Sequence, residues 1–161
     1  MQGTTHVAIG FLSGAVVAAG FHVPLYLQTG AVLMVASIGS LMPDIDTPAS
    51  KMSKSLGGLR KPMSLFAHRG LTHSLCAVIV IALLMVFLQV QFVHAVAFLV
   101  GYISHLLADS VTKQGIRLWW PSKRRFRPIP KALTIKTGGA IDWLIGIASL
   151  ILAIVVLIQF Y

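Results

Sequence analysis

Three long stretches of the chain carry no Asp, Glu, Lys or Arg: residues 1–43, 70–108 and 143–161. Apolar residues run on almost without interruption inside them, and the breaks fall at turn-forming residues. The pattern predicts five helices. The first covers residues 7–21 and is rich in small residues (Gly10, Ser13, Gly14, Ala15, Ala18, Ala19), which suits close packing against neighbouring helices in a membrane. A turn at His22-Val23-Pro24 leads to the second, residues 25–42, again with small residues and ended by Pro43. The third covers residues 74–90, a tight turn follows around Gln89 and Gln91, and the fourth covers residues 92–108. Gly138-Gly139 opens into the fifth, residues 141–160. Helices one, three and four are short against a hydrocarbon core of about 30 Å.

Composition turns these helices into membrane spans. The chain has 161 residues, 57% of them hydrophobic and only 11% charged, with a mean hydropathy of +0.86. A soluble domain carries about 25% charged residues, so this chain lacks the polar surface a soluble fold needs. The expectation is an all-α polytopic membrane bundle, one domain over residues 1–161, because backbone exposed to lipid must satisfy its own hydrogen bonds. No basic leader precedes the first apolar run, and the polar His6 stands at its start, so no cleaved signal peptide is expected. The single cysteine, Cys76, lies in an apolar run and reads as a small buried thiol.

Charge sets the topology. All 13 Lys and Arg fall in two segments, five in residues 51–69 and eight in residues 113–136. Loops rich in Lys and Arg stay in the cytoplasm. With both loops inside, the helices between them form a hairpin, the first pair forms another, the N-terminus is cytoplasmic and the C-terminus is outside. The net charge of +9 is then a topology signal with an attraction to anionic headgroups, rather than a nucleic-acid footprint. Within the first loop, residues 51–58 are flexible by composition. In the second, Trp119-Trp120 beside Lys123-Arg124-Arg125-Phe126-Arg127 reads as an interfacial anchor.

On this topology the few ionisable ligands converge. His6 starts the first helix, Asp44 and Asp46 follow the second, His68 and His73 precede the third, His105 and Asp109 end the fourth, and Asp142 starts the fifth. All eight fall at the cytoplasmic helix ends, and they include every acidic residue of the chain. Taken singly, each has an ordinary role as a helix cap, a solvated carboxylate or an interhelical hydrogen bond. Their gathering in a strongly basic chain does not. His105 and Asp109 at i, i+4 share one helix face. Asp44-Ile45-Asp46, read as extended, puts two carboxylates on one side. Imidazole with carboxylate suits a divalent metal, Zn first and Mn, Fe or Mg as alternatives. His22 and His94 belong to the opposite side and are assigned no role.

The same residues carry a family resemblance. Thr5-His6 with Gly10, then Pro43-Asp44-Ile45-Asp46, then His68-Arg69-Gly70-Leu71-Thr72-His73-Ser74, then the segment from Gly101 through Ser104-His105 to Asp109-Ser110, resemble the YdjM/YbcI family of bacterial inner-membrane proteins. The resemblance covers most of the chain. It implies a multi-pass protein of the bacterial inner membrane, with His6, Asp44, Asp46, His68, His73, His105 and Asp109 as its polar core and metal-dependent hydrolysis as its activity. Near the last helix the resemblance leads one to expect Glu where this chain has Asp142. The family is in turn distantly similar to zinc-dependent phospholipase C, a likeness of analogy only.

The function expected is a membrane-bound metal-dependent hydrolase acting on a phosphoester, a phospholipid or lipid phosphate, at the cytoplasmic leaflet. Asp46 and His73 are expected in the catalytic centre, with Arg69 offering its guanidinium fork to a phosphate oxygen. Thr72, Ser74, Ser104 and Ser110 are expected to hydrogen-bond the ligands. A zincin reading is disfavoured, since the HExxH signature and Glu itself are absent. Two other classes stay open: a divalent-metal carrier, which would need polar groups through the midplane, and a non-catalytic regulatory protein with a structural metal site. Composition does not fix the oligomeric state.

Overall fold

The computed structural model describes residues 1–24, 26–46 and 70–161. Among these residues five α-helices form the bundle: α1 Gly3–Gly20, α2 Leu27–Leu41, α3 Leu75–Phe87, α4 Phe92–Ser110 and α5 Ala140–Phe160. Short 3₁₀ turns flank them at Met42–Asp46, Leu71–His73 and Lys131–Leu133. The fold class is all-α as expected. The described residues add only two isolated bridges, Thr112 with Ile135 and Ile116 with Phe126.

Not all five helices have the length of a full span. Three helices are long and apolar enough to cross a bilayer: α1 with 18 residues, α4 with 19 and α5 with 21. Helix α2 has 15 residues and α3 has 13. At 1.5 Å per residue α3 rises about 20 Å, short of the hydrocarbon thickness. Helix α1 starts at Gly3, so Thr4, Thr5 and His6 lie inside it and lengthen it in the direction it needed.

Helix α1 is central, packed against α2, α4 and α5, and α2 also packs against α4. The small residues set these contacts. A Cβ on Gly10 would stand 2.4 Å from Ser40 Oγ, and one on Gly14 would stand 2.8 Å from Leu33 Cα. On the other side of α2, a Cβ on Gly39 would meet the Phe98 carbonyl at 2.3 Å, and one on Gly101 the Ala36 carbonyl at 2.0 Å. Four glycines therefore let three helix backbones touch, as close-packed membrane helices require. Helix α3 lies at the periphery against α4, and the apolar side chains of α3 and α5 that face outward are those of a lipid-facing surface.

The second basic loop is ordered. Phe126 N–H and Ile116 N–H each donate to the other's carbonyl, at 2.8 and 3.2 Å. Ile116 is buried with Tyr102, Leu106 and Ala77, which ties the loop to the ends of α3 and α4. Trp119 and Trp120 remain exposed, as an interfacial anchor would be.

The Asp44–Asp46 segment is a correction. It is not extended but continues α2 as a 3₁₀ turn, Met42–Asp46. At three residues per turn, i and i+2 point about 120° apart around the axis instead of to one side. Pro43 has no N–H to donate to the preceding turn of α2, so the α-helical ladder breaks where the 3₁₀ turn takes over.

Candidate metal centre

Four helix ends place the ligands. His6 lies in the first turn of α1, Asp44 in the turn after α2, and His73 in the turn before α3. His105 and Asp109 lie one turn apart near the end of α4. The three imidazoles are fully buried and Asp109 is 1% exposed. His105 is the hub. Its Nε2 is 3.3 Å from His73 Nε2, 3.8 Å from Asp44 Oδ1 and 3.9 Å from Asp109 Oδ2. Its ring stacks on His6, centroids 3.7 Å apart and planes 16° apart. His73 Nε2 lies 3.6 Å from Asp44 Oδ1 and 3.8 Å from Asp109 Oδ2, and His6 Nε2 lies 3.2 Å from Asp109 Oδ1. The Met1 amino group also pairs with Asp109.

Each histidine's second nitrogen decides what the first can do. His105 Nδ1 lies 2.6 Å from the Ser40 carbonyl at the end of α2. A carbonyl only accepts, so Nδ1 carries the proton and Nε2 of the neutral ring is a lone pair. That lone pair faces two carboxylates and a third imidazole. His73 Nδ1 is 3.1 Å from Thr72 Oγ1, and the Thr72 carbonyl accepts from the buried Tyr102 hydroxyl at 2.5 Å. Tyr102 thereby pins the turn bearing His73 to α4. Neither ring nitrogen of His6 makes a hydrogen bond of normal geometry among the described residues, although both are buried. A buried imidazole nitrogen without a well-formed hydrogen bond is costly. Burial by itself would raise the Asp44 carboxyl, but the hydrogen bond from His73 and the nearby His105 hold it down at about 2. Asp44 is therefore ionised at neutral pH.

The donor set fits a divalent ion. Two donors held about 2.0–2.2 Å from one Zn²⁺ at tetrahedral angles stand about 3.3–3.6 Å apart. The nitrogens and carboxylate oxygens here stand 3.2–3.9 Å apart. Two overlapping triads close to within 4.8 Å, His6–Asp44–His105 and His73–His105–Asp109.

Five of the eight expected ligands are brought together: His6, Asp44, His73, His105 and Asp109. Asp142 is not in either triad. It is buried, but its Oδ2 accepts from Gly138 N–H at 2.8 Å and Gln2 N–H at 3.0 Å. It clamps the starts of α5 and α1 together, and so fixes the turn of α1 that carries His6. His68, Arg69 and the side chain of Asp46 lie outside the described residues. Three of the four expected hydroxyl donors serve the backbone instead. Ser104 donates to Gly101 at 2.7 Å and Ser110 to Leu107 at 2.7 Å, each within its own helix. Ser74 donates to the Leu71 carbonyl and accepts from Ala77 N–H, so it closes the turn and caps α3. Tyr102 and the Ser40 carbonyl were not expected. Tyr102 had a signal, a polar aromatic three residues before His105 in an otherwise apolar helix; the carbonyl had none.

Fold and centre together define a multi-pass α-helical membrane protein whose polar residues are gathered at one end of the bundle. The chain belongs to the YdjM inner membrane protein family, whose profile matches residues 1–161. It is 45% identical over 100 residues to the inner membrane protein YdjM of Escherichia coli, covering 57% of this chain and 50% of that protein. The match thus spans half the length of that relative. The YvsG protein of Bacillus subtilis is 35% identical over 160 residues, 95% of this chain and 91% of the relative. The inner membrane protein YbcI of E. coli is 31% identical over 134 residues, 77% of this chain and 70% of the relative. No solved structure matches. The chain is an inner-membrane protein in contact with the lipid bilayer.

Proposed function

We propose that the centre holds a divalent metal, Zn first, and that the protein is a membrane-bound hydrolase of a phosphoester, a phospholipid or lipid phosphate, at the cytoplasmic leaflet. The observation that carries this reading is the His105 lone pair, fixed by the Ser40 carbonyl and aimed at two carboxylates and His73 within 3.3–3.9 Å. A cation held among these groups would stabilise such an arrangement. A divalent ion held there supplies Lewis acidity, acidifying water and polarising a phosphoryl oxygen.

The chain's own residues do the rest. His6, Asp44, His73, His105 and Asp109 are the ligands. Ser40, Thr72 and Tyr102 orient the imidazoles, and Asp142 fixes the start of α1. Asp46, His68 and Arg69, adjacent in sequence to these ligands, remain candidates for the same site, Arg69 for a phosphate oxygen through its planar fork. The eight cations of residues 113–136 concentrate anionic substrate at this end of the bundle.

Purified protein equilibrated with Zn²⁺ and desalted is expected to retain at least one ion per chain by elemental analysis. It is also expected to release phosphate or headgroup from a panel of lipid phosphates and phosphodiesters, and to stop when a chelator is added. A metal-free protein removes the proposal; a metallated one inert across the panel leaves a structural site and removes the hydrolase. A quieter consequence concerns Tyr102. Tyr102→Phe keeps the ring but releases the His73 turn, and a lost outer hydrogen bond of this kind costs about 10–100-fold in metal affinity. Competition with a chromophoric chelator measures it, with helicity expected unchanged.

A further inference from the structure

At the end of the bundle opposite the His/Asp centre lies a second cavity, about 260 Å³, built from the turn after α1 and the first turns of α2 and α4. Its lining includes His22, Gln28, Gln91 and His94, over a floor containing Val23 and Val32. Two of the chain's six histidines are thus at one opening. None of these four polar side chains makes a hydrogen bond or ion pair to another described residue. Val32 is 1% exposed and Val23 8%, so the floor is apolar, while at the polar rim His22, Gln28 and Gln91 are exposed and His94 is half-buried.

The backbone adds a second observation. His22 closes α1 in the left-handed conformation, φ 48°. Its N–H bonds to the Ala19 carbonyl at 3.1 Å and the Val23 N–H to the Ala18 carbonyl at 2.9 Å, the paired bonds of a Schellman end. That position favours glycine, because a β-carbon there crowds the carbonyl. An imidazole is carried at a site where its backbone is strained, and it lines the cavity.

The chemistry of the rim selects the ligand. It offers two imidazole N–H groups and two carboxamides. The first turns of α2 and α4, neither with a side-chain cap, bring the positive ends of two helix dipoles to the same opening. The lining described holds no acid, and Asp44, Asp109 and Asp142 all lie at the far end. A divalent metal would find no charge to neutralise it here; an oxyanion meets nothing that repels it. We infer that this cavity binds a phosphate ester, its phosphate held by His22, His94, Gln28 and Gln91 and its alkyl part on the valine floor. The inference is independent of the metal centre.

The test uses full-length protein labelled with ¹⁵N-histidine in dodecyl maltoside, which carries no phosphate. Inorganic phosphate, dihexanoyl phosphatidylglycerol and zinc chloride are titrated separately, and the imidazole resonances of His22 and His94 are followed. Saturable shifts of both with the lipid alone make a headgroup the ligand. Shifts with either phosphate probe make it a free phosphate as well. In His22→Gly the His94 response is expected to weaken about tenfold or more, as for one or two lost hydrogen bonds. The thermal midpoint should hold or rise, since glycine relieves the strained cap. His94→Phe, which keeps the ring volume, should weaken binding in the same way. Resonances that ignore both phosphate probes, that move only with zinc, or that titrate identically in both variants overturn the assignment.

Discussion

His105→Ala is expected to lose bound divalent metal by more than about a hundredfold in affinity, and to lose with it all response of the protein's stability to a chelator. His105 belongs to both donor triads, and its Nε2 lies within 3.9 Å of His73, Asp44 and Asp109. Removing an outer partner costs 10–100-fold, so removing the shared ligand costs more. The stability readout separates a bound ion from a set of buried hydrogen bonds. An ion that binds only the folded chain stabilises it by about 2.7 kcal/mol at a hundred times its dissociation constant. Chelation should therefore lower the wild-type unfolding midpoint and leave His105→Ala where it was. If the two proteins fall together on chelation, the ion is bound elsewhere. If neither moves and neither holds metal, the cluster is a hydrogen-bonded core. A carboxylate variant adds a check on sign. Asp44 is held at about 2 against an ordinary 3.8, so its contribution to stability is present above pH 4 and is lost as pH falls through 2. At neutral pH Asp44→Asn removes a charged ligand, and its effect should follow His105→Ala in direction.

The helices and the gathering of ligands were legible from charge alone. The stretches without Asp, Glu, Lys or Arg hold almost all of α1 to α5, with only Asp109 and Asp142 inside helix ends, and the two basic segments put the ligand-bearing ends on one side. That reasoning works because burying an unpaired charge in lipid is so costly that evolution leaves few, and those few mark sites. It failed where the outcome depended on local backbone geometry. Asp44 and Asp46 alternate as in a strand, but α2 continues into a 3₁₀ turn, because helix ends tighten to satisfy their last carbonyls. Ser104 and Ser110 looked like donors to the ligands, yet a hydroxyl inside a helix finds its own carbonyls first. Asp142 had the right type and place, but two nearby backbone N–H groups took its carboxylate. The most telling omission was the Ser40 carbonyl. Every residue has a carbonyl, so no side-chain pattern reveals which one sets a tautomer; that is decided by how closely α2 and α4 pack.

That packing depends on a glycine, and Gly101→Ala is expected to be the most damaging single-methyl change in the chain. The added carbon would stand 2.0 Å from the Ala36 carbonyl oxygen, 2.8 Å from its carbon and 3.1 Å from Cα. All three are backbone atoms, so no side chain can swing away, and α2 and α4 must part by about 1 Å to restore contact distance. Overpacking of this sort costs about 3 kcal/mol or more. The same separation draws Ser40 off His105 Nδ1, now 2.6 Å away, and frees the imidazole to rotate. Gly30→Ala is the control: nothing lies within 4 Å of its added carbon, and alanine is the better helix former. Thermal unfolding in detergent should place Gly101→Ala well below wild type and Gly30→Ala at or slightly above it. Metal titration should show the Gly101 variant weakened even at temperatures where it stays folded. A Gly101→Ala protein that unfolds with the wild type would mean that these two backbones do not touch. The Ser40 carbonyl would then not be held against His105 by the contact of α2 with α4.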